Sequence, residues 1–511
     1  MASPAPDPRV VVVGAGMAGL AAAVELTRSR TCEVIVLEAM DSPGGRIQTI
    51  KGFGERVVEL GANWLHGTRG NPLYKLAKKH NLLSQDKVSR ALNDDSAIWF
   101  RYDDNGNEHY QTEDGESIDP KVVRDVKRMY AEVQEEFDSI DPEALDPGES
   151  FRDVMLREFT QRLEKIEMHS KKLLDQYWVV FEFCCRMECL DLGSYDLHEV
   201  QFRSALQYEE LEGFYYTTLG EEGYQGVISK LLEDIPESSI LYNTPVARIQ
   251  YQTCGDNGKE SVVVHAEDGR TFECSHVIVT SSVGFLKENL GTFFDPPLPK
   301  DKLQVLRSLP FGTVNKIFLK YDKPFWTSEE FGVQLMWREP STESSERDEE
   351  AEKAVFFRTL VGFDAEEKNS DILLGWTYGK GAEFMETLSD EELGKRCTSL
   401  LRQFLGDPTI PEPASVMCSR WHSNRYQRGS YAAFFSLHSS CRNHDIMNAP
   451  VYSSSTEGKQ KVPILCFAGE AFHKIYFSTT HGAFLSGRDQ ARALIKYLSR
   501  RHGNTSKCLL N

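Results

Sequence analysis

Apolar residues along the chain fall into blocks whose period changes. Val10 to Val13 form a short continuous apolar run that ends in glycines, and Val34 to Leu37 form another, as expected for buried parallel strands. From Lys121 to Cys189 the pattern becomes helical and charged, with Val126, Tyr130, Val133 and Phe137 at spacings of three and four. The proline- and acid-bearing stretch from Asp138 to Glu149 predicts a link between two helices. After Gly223-Tyr-Gln-Gly226 the period returns to that of strands. Val246 to Tyr251 and Ser261 to His265 predict two β-segments joined by the polar turn Gly255 to Gly258, and His276 to Thr280 a further buried strand. Ile464 to Phe467 predict a last buried strand, and Ala483, Leu485, Ala491, Ala493, Leu494 and Leu498 a helix after it. Glu339 to Lys353 and Ser453 to Lys461 are expected as solvated loops. No internal repeat is visible.

The first block carries chemistry. Gly14-Ala15-Gly16-Met17-Ala18-Gly19 sits between strand and helix, and Glu38 closes the second strand. That context makes it the dinucleotide fingerprint. Gly14 permits the sharp turn, Gly16 lets backbone approach a pyrophosphate, and Gly19 lets the helix lie close on the strand. The helix N-terminus then offers unpaired N–H groups to the phosphates, and Glu38 accepts hydrogen bonds from a ribose diol.

Gly44-Gly45-Arg46 follows, a second glycine turn with a fixed cation. Alone it reads as a β-turn with a solvated arginine; placed here, a guanidinium can hold a second face of a pyrophosphate. The Glu-to-Gly-Gly-Arg spacing, with Gly469-Glu470 and Ser478-Thr-Thr-His-Gly-Ala483 near the far end, resembles the FAD-dependent amine oxidases from about Arg9 to about Arg500. Within them Glu59-Leu-Gly-Ala-Asn-Trp-Leu-His66, Phe311 to Lys320, Arg420-Trp421 and Arg428-Gly-Ser-Tyr431 resemble the polyamine oxidases of the animal acetylpolyamine and spermine oxidase type.

The resemblance implies an α/β and α+β fold: a Rossmann-like FAD-binding domain (9–95, 240–300 and 460–505) interleaved with a substrate-binding domain (96–239 and 301–459) of mixed sheet and helices, helical at about 120–190. It implies non-covalent FAD held by Gly14, Ala15, Gly16, Ala18, Gly19, Glu38, Ala39, Gly45, Arg46, Gly61, Ala62, Asn63, Trp64, Val246, Trp421, Gly469, Glu470, Thr479 and Thr480. Lys316 matches the flavin-facing lysine and His66 the active-site histidine; Lys320, by contrast, is expected to project to solvent. Glu188 matches a carboxylate that meets a distal amine, with Glu182 as a rival; Tyr431 and the small Thr479 face each other as an incomplete aromatic sandwich. The implied reaction is oxidation of spermine or N1-acetylated polyamines at a secondary amine. Hydride passes to the flavin, the imine hydrolyses to a shorter polyamine and an aminoaldehyde, and O2 reoxidises the flavin to give H2O2.

Composition sets limits. A chain of 511 residues is long for one core. A net charge of −19 disfavours nucleic acid as a partner and suits a polycation. Eleven cysteines without tight regular spacing fit a reducing compartment, and Cys184, Cys185 and Cys189 are expected as buried free thiols rather than metal ligands. No apolar run reaches the roughly 18 residues needed to cross a bilayer. The N-terminus reads as lacking a secretory signal, and Lys507-Cys-Leu-Leu-Asn511 is not a Ser-Lys-Leu-type ending. A cytoplasmic monomer without a metal is the expectation. The rivals are an oxidase of another amine and a non-catalytic binding protein on the same fold, such as the Rab GDP dissociation inhibitors. Gly469 to Gly487 holds no cysteine for a covalent flavin, which disfavours the monoamine oxidases.

Overall fold

A computed structural model describes residues 8–84, 108–138, 140–141, 144–206, 208–254, 260–327, 331–338, 357–432, 442–453 and 461–501. The loops expected at Glu339 to Lys353 and over most of Ser453 to Lys461, the turn Gly255 to Gly258 and both chain ends lie outside these residues.

The four valines form the central strand of a six-stranded sheet. Arg9–Val13 pairs in parallel with Glu33–Leu37 on one side and His276–Val279 on the other. Ile240–Leu241 extends the first side and Pro463–Phe467 the second, both parallel, and Val451–Tyr452 closes the edge antiparallel. Strands buried on both faces need helices above and below, which explains their unbroken apolar sequence. Met17–Ser29 and Thr480–Arg501 pack against each other on one face. The sheet thus joins segments over 450 residues apart, and its edge strand at 451–452 precedes the 460 boundary assigned from the sequence.

The antiparallel strands Val246–Cys254, Glu260–Ala266 and Thr271–Cys274 make a separate small sheet, to which Phe294–Asp295 adds in parallel. A second six-stranded sheet runs in the order Ser415–Cys418, Val314–Lys320, Ile372–Tyr378, Leu360–Ala365, Gly332–Met336 and Glu108–Thr112. It is antiparallel except for its last pair.

The helices Pro120–Asp138, Phe151–Leu163 and Lys171–Leu192 pack beside this sheet. Ser150 and Ser170 cap two of them through their side chains, and Gly193 ends the longest in the left-handed region. Phe159 stacks on Phe181 with centroids 4.2 Å apart. Cys184, Cys185 and Cys189 are buried free thiols on the longest helix. No helix among the described residues is long and apolar enough to cross a membrane.

Candidate active site

One cavity of about 990 Å³ starts at the glycine turn and reaches the helical region. The turn is built as its glycines require. Gly14 has φ +102°, and a Cβ on Gly19 would lie 1.9 Å from the Gly14 carbonyl, so the helix touches the strand backbone. Gly16 caps that helix with no side chain of its own, and a Cβ there would meet nothing nearer than 3.8 Å. Such an open helix N-terminus is a cradle for a phosphate. Glu38 is buried; one oxygen accepts from the Ala15 N–H at 2.5 Å and the other from the Met40 N–H at 2.9 Å. Burial pushes its pKa up, against the backbone donors that pull it down. Each oxygen keeps a lone pair for a ribose diol.

Arg46 is not the solvated cation of a plain turn. Its Nη1 donates to the Ser430 carbonyl at 2.6 Å and to Glu470 at 2.9 Å, fastening the N-terminal segment to the C-terminal return. Of the residues assigned to the cofactor, all line the cavity except Ala15 and Gly19. The Ala15 N–H donates to Glu38, and Gly19 packs on the Gly14 backbone. Thr479 also lines the wall, but its hydroxyl donates to the Tyr476 carbonyl at 2.8 Å and accepts from the Gly482 N–H at 3.0 Å. Its hydroxyl is thus engaged on both sides at the start of Thr480–Arg501.

Lys316 enters from the middle of Val314–Lys320 and is 3% exposed. Its Nζ donates to the carbonyls of Glu59 at 2.7 Å and Gly61 at 2.8 Å and sits 4.7 Å above the Trp376 ring. Burial drives its pKa down to about 7. The Glu59 carboxyl, also buried, accepts from the Tyr224 N–H and the Thr49 hydroxyl, and burial raises its pKa. Lys320, expected at the surface, instead donates to the Phe53 carbonyl at 2.8 Å. The segment Phe53 to Gly61 lies across both lysines, which strand alternation alone does not reveal.

His66 lines the cavity with Nδ1 3.2 Å from the Tyr215 carbonyl. Desolvation lowers its pKa to about 4, so the imidazole is neutral at pH 7. Tyr215 and Tyr216 pack on it at 4.5 and 5.8 Å between centroids. Trp64 and Trp376 lie nearly parallel, 5.9 Å apart. Tyr431 donates to the Leu190 carbonyl at 2.5 Å, pinning the end of the long helix. Glu188 lines the cavity, with Gln134 Nε2 at 3.1 Å, whereas Glu182 faces away into an ion pair with Arg152.

Trp376, Tyr208, Tyr215, Tyr216 and Asp191 also line the cavity and went unmarked in the sequence. Trp376 had no signal, being one apolar residue in an apolar strand. Asp191 had one: it lies three residues past Glu188, hence on the same helix face.

The model of flavin-containing amine oxidoreductases matches residues 17–495. The peroxisomal N(1)-acetyl-spermine/spermidine oxidase of Homo sapiens is 34% identical over 501 residues, covering 96% of this chain and 95% of its own. That of Bos taurus is 33% identical at 96% of each. The probable polyamine oxidase 5 of Arabidopsis thaliana is 27% identical over 96% of this chain and 98% of its own. A solved putrescine oxidase with bound putrescine superposes with a TM-score of 0.67 at 20% identity, over 96% of this chain and 99% of that one, a likeness of fold. The chain belongs to the flavin-containing amine oxidoreductase family.

Proposed function

We propose that this chain binds FAD non-covalently and oxidises polyamines at a secondary nitrogen, with O2 as acceptor. The observation that carries the reading is Lys316, a buried amine held by two carbonyls within the cavity that begins at the dinucleotide cradle. The family membership and the polyamine oxidases among the relatives support it.

A flavin bound in the cradle supplies the hydride acceptor, and its return by O2 gives hydrogen peroxide. The protein's part is positioning and electrostatics. An ammonium has no lone pair with which to release hydride. The aromatic walls Trp64, Trp376 and Tyr431 exclude water and disfavour charge, so the reacting nitrogen sheds its proton on entry. Neutral His66 accepts or donates one hydrogen bond there without adding a repelling charge. Lys316 Nζ, with its pKa near 7, takes and returns the proton released when water adds to the oxidised C–N bond. Cleavage of that bond leaves a shorter polyamine and an aminoaldehyde.

A cytoplasmic location and a monomeric state are proposed with this function; the free buried thiols fit a reducing compartment. Mixing purified protein with spermine, N1-acetylspermine or a monoamine without oxygen tests the reading. Bleaching of the flavin spectrum by a polyamine, and peroxide on admitting air, is expected. A yellow protein bleached only by the monoamine overturns the substrate, and a protein that takes up no FAD overturns the reading.

A further inference from the structure

Glu59 faces two ways. Its main-chain carbonyl accepts from Lys316 Nζ at 2.7 Å, while its side chain, 2% exposed, reaches the start of the helix Gly223–Leu232. That helix begins after Glu222, which lends it no side-chain cap, so its first N–H groups need an acceptor from elsewhere. Glu59 supplies one: a carboxyl oxygen accepts from the Tyr224 N–H at 2.7 Å. Its other oxygen accepts from the Thr49 hydroxyl at 2.7 Å, and Thr49 Oγ1 in turn accepts from the Gln225 N–H at 3.0 Å. Gly223 stands at φ +58°, and a Cβ there would lie 2.3 Å from the carboxyl, so the helix start closes directly on it. A helix N-terminus favours a negative charge, which offsets part of the burial that raises the Glu59 pKa.

The carbonyl is fixed as firmly as the carboxyl. Val58–Glu59 pairs antiparallel with Thr49–Ile50, the Leu60 N–H donates to the Gln48 carbonyl at 2.9 Å, and the Ala62 N–H to the Arg46 carbonyl at 3.2 Å. The Gly61 carbonyl, the second acceptor for Lys316, lies in the same short stretch. A shift of the carboxyl's seat therefore shifts the carbonyls that hold the amine. Glu59 is also the strongest charge acting on Lys316. Glu366, Lys368 and Glu367, from the turn after Leu360–Ala365, follow with mixed sign, and Lys368 acts on Glu59 as well.

We propose that Glu59 is a positioning residue for Lys316: its carboxylate, seated on the N-terminus of Gly223–Leu232, locks the carbonyls that hold the amine in the cavity and places a negative charge behind it. The inference rests on the reading of Lys316 as the proton carrier and adds the residue that holds it there and sets how readily it gives up its proton. Loss of the charge lets the lysine shed its proton at lower pH. Loss of the reach lets the amine stray from the oxidised C–N bond.

Two substitutions separate charge from reach. Glu59→Gln keeps an acceptor for the Tyr224 N–H and removes the charge; Glu59→Asp keeps the charge and withdraws it by one methylene. On flavin-loaded protein, the protonation midpoint of Lys316 is read from competitive acetylation by trace acetic anhydride across pH, by mass spectrometry of the peptide that carries it. The pH profile of kcat with spermine is measured beside it. In Glu59→Gln both the midpoint and the acid limb of kcat should fall by about one pH unit, a tenfold change in proton affinity, with the plateau kept. In Glu59→Asp the midpoint should stay while the plateau falls about tenfold with KM little changed. An unmoved midpoint in Glu59→Gln, or a full plateau in Glu59→Asp, overturns the inference, and if the first variant does not fold the second still decides. If the midpoint moves as expected but no polyamine is turned over, the polyamine reading fails and the assignment of Glu59 to Lys316 stands.

Discussion

The two ends of the cavity are made differently. The cradle is largely backbone: three glycines, a bare helix N-terminus and a carboxylate bonded to two main-chain N–H groups, all within residues 14–40. The far end is side chains: one face of a 22-residue helix together with aromatic residues from 202–216 and 431. A backbone site tolerates almost no added atom, because main chain cannot move aside. A side-chain site tolerates substitution and changes preference instead.

The sharpest break of that contrast is Gly19→Val. Its Cβ would fall 1.9 Å from the Gly14 carbonyl, so the purified protein should carry no flavin absorbance or should not fold. Retention of normal flavin by Gly19→Val would dissolve the contrast.

Lys316→Met comes next, at the junction of the two ends. Loss of a positioned acid–base group should slow turnover by about 10²-fold or more, measured as oxygen consumption, with flavin still bound. The same lysine gives a pH signature. Its folded pKa of about 7 lies below the ordinary lysine value, so the unfolded chain holds more protons between pH 7 and about 10.5, and stability rises with pH across that window. Thermal melts of wild type should show this rise, and Lys316→Met should lose it.

Glu38→Gln should have a smaller effect. Exchanging the carboxylate for an amide weakens acceptance from Ala15 and Met40 and from a ribose, by about 1–2 kcal/mol, near tenfold in FAD affinity by titration of the apoprotein. His66→Gln is expected to cost less in flavin affinity than in turnover, since its ring packs on Trp64, Tyr215 and Tyr216, which line the cavity with it. A parallel fall of both would move His66 to the cradle.

The legibility of each end follows from its construction. Glycine spacing and a strand-ending acid are local, and local geometry is set by residues within a turn or two of one another. That is why the cradle could be read from residues 10–46 without the fold. Lys316 was identified through its resemblance, yet nothing in Val314–Lys320 says that its amine is held by the carbonyls of Glu59 and Gly61 while Lys320 meets Phe53. Glu182 and Glu188 are both helix glutamates on one helix; only packing puts the first on Arg152 and the second in the cavity.

By itself the sequence determined the strand–turn–helix cradle, the helical middle and the set of groups able to do amine chemistry, because each depends on near neighbours and on residue type. Tertiary structure alone decided which of those groups share a cavity and which of their charges are paired, as Arg46 is with Glu470 and Glu182 with Arg152. Those depend on contacts between segments hundreds of residues apart, whose desolvation and pairing no local pattern records.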